Sequence, residues 1–250
     1  MNMTNKKIPI IDLDSQAEIV WNDSYDSKFS NLLMTNDRLF GVLLNIGYKA
    51  ALGVAVTLTE LIHQKSHKFY PHIDVVQEFA PKIESLWAGT IDPFYLSTFR
   101  FDFEYFSGDG SSTPYSACWF ILFNRARDYI KGSGCVQRYL VNLSMLACHL
   151  MSNKRQFDSW FTEVVRKTTE IFPYIRDFEF VDNDEVKYDY SDVVPVPREF
   201  FFDPEFQYSE ETAKPLLNKF LQSLDYNNNP WLCTPERMLE KGFKGTPYTI

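Results

Sequence analysis

Two imidazoles four residues apart, His63 and His67, are the first feature of this sequence that could do chemistry. On a helix that spacing lets both rings reach one metal ion, with Glu60 and His72 nearby as further ligands. The same pair in the last turn of a helix is also what the helix dipole favours in water, and that plainer reading predicts no metal here. Cys148 and His149 are adjacent, so on a helix they point about 100° apart and cannot jointly serve one buried site. Asp102 and Glu104, with Arg100 beside them, would share one face of a strand as a conceivable acid and base, but a solvated strand face gives the same pattern. The run Ser107-Gly108-Asp109-Gly110-Ser111-Ser112 precedes a helix start yet lacks GxxxxGK and a βαβ context. Asp182-Asn183-Asp184 opens like a calcium loop, but Lys187 stands where glycine is required. With no G-x-S-x-G, HExxH or kinase set in the chain, the sequence predicts no catalytic, cofactor or metal site. The competing enzyme reading would need a site assembled from Asp102, Glu104, His63 and His67.

The elements that would position these residues are mainly helical. Thr35, Asn36 and Asp37 offer caps for a long helix running to about Gln64. Within it Asn45, Lys49, Gly53, Thr57 and Glu60 fall in a single arc at about 100° per residue. The rest of that helix is apolar, and Lys49 in mid-membrane would cost several kcal/mol, so a core helix with its narrow stripe toward water or a partner is predicted. Pro71 suits the first turn of a second helix through Val76 and Phe79, which Pro81 should kink or restart. Thr113-Pro114 opens a helix through Trp119 and Leu122 that Gly132 closes, and Cys135 to Met151 forms the next. Asp158 or Ser159 caps another, which Pro173 ends. Phe99, Phe101, Phe103 and Tyr105 alternate with polar residues in the period of a strand, whereas Asp92-Pro93 and Phe106 suit a helix, so 99–106 stays open between the two. The expected fold is mainly α, an irregular up-and-down bundle in one domain: a helical body over about 15–173, an acidic aromatic segment over 174–211, and a helix and tail over 212–250.

Composition narrows the function classes. The net charge of −8 opposes nucleic-acid binding. Lys6 and Lys7 are followed by no apolar run of signal-peptide length, and four cysteines without a CxxC pair read as reduced thiols, so a cytoplasmic location is expected. The charge is not evenly spread. From Tyr174 to Glu211 twelve acids meet only Arg176, Lys187 and Arg198, so the whole excess sits there. Prolines 195, 197 and 204 make this an irregular connection, and its aromatics suit anchoring to the body or to a partner. Asp177, Glu179, Asp182, Asp184, Glu185, Tyr188, Asp189, Tyr190 and Asp192 are the predicted partner-binding residues, since acids steer a cationic partner and buried rings supply hot-spot energy. Ser209 caps a helix over Glu210 to Leu224, and Thr234-Pro235 opens a short one over Met238 and Leu239.

Two stretches add a resemblance. Arg38-Leu39-Phe40-Gly41-Val42-Leu43-Leu44-Asn45-Ile46-Gly47-Tyr48-Lys49-Ala50-Ala51, together with Asn229-Pro230-Trp231-Leu232, Thr234-Pro235-Glu236, Gly242-Phe243 and Gly245-Thr246-Pro247-Tyr248, resembles bacterial immunity proteins of polymorphic-toxin and type VI secretion effector systems. The resemblance implies a protein that shields its producer by binding and blocking a cognate toxin. The acidity would suit a basic toxin, and the cytoplasmic reading one that acts in the cytoplasm. An all-helical enzyme and a structural or regulatory subunit are the alternatives.

Overall fold

The apolar stretch from Leu39 to Ile62 folds as two helices rather than one. The computed structural model describes residues 19–31, 34–69, 74–97, 113–130, 136–174 and 193–250. Among these it contains α1 (Asp23–Ser30), α2 (Asp37–Leu43), α3 (Tyr48–His67), α4 (Asp74–Ile91), α5 (Pro114–Ile130), α6 (Val136–Leu150), α7 (Lys154–Ile171), α8 (Glu199–Phe202), α9 (Glu210–Gln222) and α10 (Pro235–Glu240). Apart from one 3-10 turn at Pro93–Tyr95, the remaining regular pairing among the described residues is two isolated antiparallel bridges. Among the described residues the fold is all-helical, in keeping with the mainly α expectation. Residues 98–112, where strand and helix compete, lie outside the described residues.

The long helix is interrupted because residues 45–47 use their backbone elsewhere. Ile46 bridges Pro173, the Gly47 N–H donates to the Phe172 carbonyl (2.8 Å), and the Tyr174 N–H donates to the Asn45 carbonyl (2.8 Å). Gln137 donates to the Ile46 carbonyl (2.9 Å), while the Asn45 amide satisfies the Gly41 and Val42 carbonyls at the end of α2. Glycine at 47 permits this close approach, since a Cβ there would lie 3.0 and 3.1 Å from the Phe172 and Pro173 oxygens and would push that backbone away. Asn36 caps α2 as expected. Three further boundaries differ from the sequence reading. Helix α7 starts earlier, capped by Asn153 rather than by Asp158 or Ser159. Helix α4 continues through Pro81, whose carbonyl accepts a bond from Asn229 (2.9 Å). Helix α9 stops at Gln222, and the connection before it contains α8.

Helix α3 is the axis of the molecule. It packs against α4, α5, α6 and α7, and all of its residues but Gln64 and His67 are buried. A helix surrounded in this way must satisfy its polar side chains internally. Thr57 and Thr59 do so by donating back to the Gly53 and Ala55 carbonyls. The stripe of Lys49, Gly53, Thr57 and Glu60 therefore does not face water, as the sequence allowed; it faces this chain's own residues 193–202. Lys49 Nζ donates to the Val193 carbonyl (2.8 Å), and Phe201 packs so close to Gly53 that a Cβ would sit 2.7 Å from its ring. Glu60 accepts from Arg198 Nε (3.0 Å), from Arg198 Nη2 and from the Trp87 indole (3.2 Å). The Arg198 guanidinium lies 4.2 Å from the centre of the Phe202 ring.

A second apolar cluster joins the end of α4 to the C-terminal elements, with Ala88, Ile91 and Tyr95 against Leu217, Leu221, Leu232 and Met238. Backbone pairing seals it: Leu96 bridges Leu232, the Cys233 N–H donates to the Tyr95 carbonyl (2.8 Å), and the Tyr248 hydroxyl donates to the Cys233 carbonyl (2.6 Å).

The stripe gives two expected outcomes. Glu60→Gln leaves Arg198, whose side chain is 13% exposed, without a counter-charge and should cost about 3 kcal/mol; Gly53→Val must displace Phe201 and should cost about 1–3 kcal/mol. Urea unfolding measures both, and losses under about 0.5 kcal/mol would mean that residues 193–202 are held by something else.

Candidate functional site

The predicted partner-binding residues Asp177, Glu179, Asp182, Asp184, Glu185, Tyr188, Asp189, Tyr190 and Asp192 lie outside the described residues. Their flanks do not. Tyr174 is paired to Asn45, and Val193 is bonded to Lys49, so residues 174 and 193 are both held at the same end of α3. Burial pulls the Lys49 ammonium below the ordinary lysine range, and Asp92 works against that fall. Five further acids of the segment are described: Asp203, Glu205, Glu210 and Glu211 are exposed and Glu199 is half-buried. Its aromatics divide differently. Phe200, Phe201 and Phe202 are buried in the main core, with Phe206 and Tyr208 packed partly against it. Anchoring to the body thus accounts for the 200–208 rings.

Beside this junction runs an open groove. Helix α2 contributes Leu39 and Val42, α7 contributes Phe161 and Val165, and together they bound a cavity of about 640 Å³. Val42, Leu44 and Ile171 keep 44, 38 and 41% of their surface exposed, unusual for side chains of this size clustered at one end of a fold. Along the α7 rim Arg166 bonds to Glu163 (2.8 and 2.9 Å) and Glu170 (2.6 Å), whereas Arg38 on the opposite wall has no ion-pair partner among the described residues. Sequence reasoning missed this groove because the unbroken 39–62 helix would have hidden Val42. The signal was Asn45 with Gly47, a polar C-terminal cap and a glycine, placed between two apolar helical runs.

The residues singled out for chemistry are separated by the fold. His63 is buried, stacked on Phe79 with ring centres 5.6 Å apart and edge-on to Tyr115, and only His67 is exposed. The pair is not the solvated turn that the sequence suggested, although the rings remain 5.9 Å apart. Glu60 is turned to Arg198. Among the described residues no cluster of three or more His, Cys, Asp or Glu could hold a metal ion. Asp102, Glu104 and His72 lie outside them. Cys118 and Cys233 are buried and Cys148 half-buried, all as free thiols, and burial pushes the Cys118 thiol up to about 12. Arg198 is the residue that sequence reasoning passed over, counted only as a base among acids; a carboxylate at 60 in an otherwise apolar helix was the sign that a cation had to meet it. Among the described residues no helix is long and apolar enough to cross a membrane.

His63 carries a pH signature. Burial, and to a lesser extent the charge on His67, lowers its imidazole from 6.5 to about 4. The unfolded chain therefore takes up a proton below about 6.5 that the folded chain refuses until about 4. The stabilisation is complete above the unfolded value and is lost as pH falls through that window, by up to roughly 3 kcal/mol. His63→Phe, which keeps the stack on Phe79, should flatten this part of the pH–stability curve; an unchanged slope between pH 4 and 6.5 would place the proton uptake elsewhere. Comparison with protein-family models, with curated proteins and with solved structures finds no match to this chain.

Proposed function

We propose that this chain is an immunity protein: it binds a cognate toxin in the cytoplasm of its producer and neutralises it by direct contact, without catalysis of its own. The observation that carries this reading is the double tether of the acidic segment. A stretch of the chain with seven acids, Asp177, Glu179, Asp182, Asp184, Glu185, Asp189 and Asp192, against Arg176 and Lys187 begins and ends at one end of the buried helix α3, beside the exposed Val42, Leu44 and Ile171. Concentrated negative charge speeds encounter with a basic surface, and apolar side chains next to it slow release once the encounter complex has formed. The body that carries them is preorganised for a physical reason: its central helix is enclosed, and Lys49, Thr57, Thr59 and Glu60 are bonded within the chain. A preorganised surface of this kind loses little side-chain freedom on binding.

The test uses the product of a large toxin-like reading frame next to this gene. Co-expression should restore growth to cells making that toxin. Changing Asp182, Asp184, Glu185, Asp189 and Asp192 together to Asn or Gln should slow association about tenfold at low salt and flatten its salt dependence, with little change in fold stability. Replacing Tyr188 and Tyr190 by Ala should chiefly speed dissociation. Unchanged association and dissociation rates in both variants would move the interface off the segment, and toxicity undiminished by co-expression would end the immunity reading.

A further inference from the structure

The open groove between α2 and α7 has an apolar lining that two helical spacings produce. Phe161, Val165 and Thr169 recur at four along α7, and Leu39 and Val42 stand three apart on α2. Almost all of its polar lining is committed within the chain. The Asn36 side chain caps α2 by accepting from the Leu39 N–H (3.0 Å), and the Thr169 hydroxyl donates back to the Val165 carbonyl (2.8 Å). Arg166 is held by Glu163 and Glu170 on its own helix, which neutralises Glu170 as well. Two polar side chains of the lining have no hydrogen bond to a described residue, the uncharged Thr162 and the exposed Arg38. Among the described residues, the charge in the lining that lacks a counter-charge is therefore positive, in a chain whose net charge is −8.

An apolar trough with one uncompensated cation complements a molecule of the opposite layout, a hydrocarbon chain ending in a single negative charge. A neutral hydrocarbon would leave Arg38 unmatched, and a polyanion would meet the carboxylates of Glu163 and Glu170. The guanidinium fork fits a carboxylate through two parallel bonds. From Phe161 to Thr169 the α7 wall runs about 12 Å, the length of a saturated chain of about ten carbons. The cavity of about 640 Å³ lies within the roughly 300–1,000 Å³ of small-molecule sites. We infer that the groove binds a medium-chain alkyl carboxylate, its carboxylate on Arg38 and its chain along Leu39, Val42, Phe161 and Val165. Affinity comes from the apolar surface that both partners remove from water, and orientation from the charged end. The inference does not rest on the toxin-binding reading: its test needs no toxin, and a groove that takes no carboxylate would leave that reading where it stands.

Calorimetric titration of the full-length protein at two temperatures, with octanoate, decanoate, decan-1-ol and decyltrimethylammonium below their micelle concentrations, tests it. Saturable one-site binding of decanoate is expected, several-fold tighter than that of octanoate, since each buried methylene strengthens binding by up to about fourfold. The alcohol and the cation should bind at least about tenfold more weakly. Arg38→Gln alters an exposed side chain, so thermal unfolding should stay the same while decanoate weakens at least about tenfold. Val42→Asp, also at an exposed position, sets a carboxylate in the groove and should weaken decanoate in the same way. Absence of saturable heat with decanoate up to about 5 mM at both temperatures would overturn the site. Equal binding of the alcohol, or binding indifferent to both substitutions, would overturn it as well. Sedimentation as a dimer that Val42→Asp abolishes would assign the groove to a second copy of the chain instead. Capture by phosphatidylglycerol vesicles without binding of free decanoate would assign it to a membrane surface, and either result would overturn the inference.

Discussion

Everything in this fold turns on the carboxylate of Glu60. It sits in the fourth turn of a helix packed against four others, where an ionised group without partners would cost many kcal/mol. Four donors meet it: the Nε and Nη2 of Arg198, the indole of Trp87 and the side-chain amide of Gln64. The arginine comes from a part of the chain 138 residues away, so satisfying Glu60 requires residues 193–202 to close over α3. Once they have closed, Phe201 fills the space that Gly53 leaves and Lys49 finds the Val193 carbonyl. A wholly apolar stripe could have packed the three phenylalanines of α8 about as tightly, but it would have set their register less sharply. The charged pair selects one alignment of a segment whose neighbouring rings, Phe200 to Phe202, could otherwise exchange places.

The interruption between α2 and α3 works with that closure. Residues 45–47 pair with 172–174 instead of continuing the helix, and this turns α2 away from the axis. Leu39 and Val42 then line an open groove against α7, while Asp37 and Phe40 line a separate cavity against α6. A continuous helix would have kept these side chains on the lines that α3 buries. Both surface features of the body therefore follow from a break of three residues.

Much of this was legible in the sequence, and the part that was not has a common cause. The caps at Asn36, Ser209 and Thr234 and the 113–114 start are local signals, and the helices begin there. The polar arc of Lys49, Gly53, Thr57 and Glu60 was legible as an arc because helical spacing alone defines it. What faces it was not, since the partner residues are some 140 positions away and look like an irregular acidic connection. The break at 45–47 escaped for the same reason: Asn45 and Gly47 are tolerated inside helices, and only the distant pairing with 172–174 makes them terminate one. His63 looked solvated because its position near the end of α3 suggested a frayed turn, whereas Phe79 and Tyr115 cover it. The nine acidic-segment residues were chosen on charge and on the two tyrosine rings among the acids, and the fold contributes the anchoring of their flanks.

That anchoring has a consequence for chain length. Residues 174 and 193 are both held near the start of α3, where the Tyr174 N–H donates to the Asn45 carbonyl and the Val193 carbonyl accepts from Lys49. Closing a longer stretch between the same two points costs only about 0.6 kcal/mol for each doubling of its length. Loop closure by itself therefore sets only a weak limit on how long the connection between these two fixed points can be.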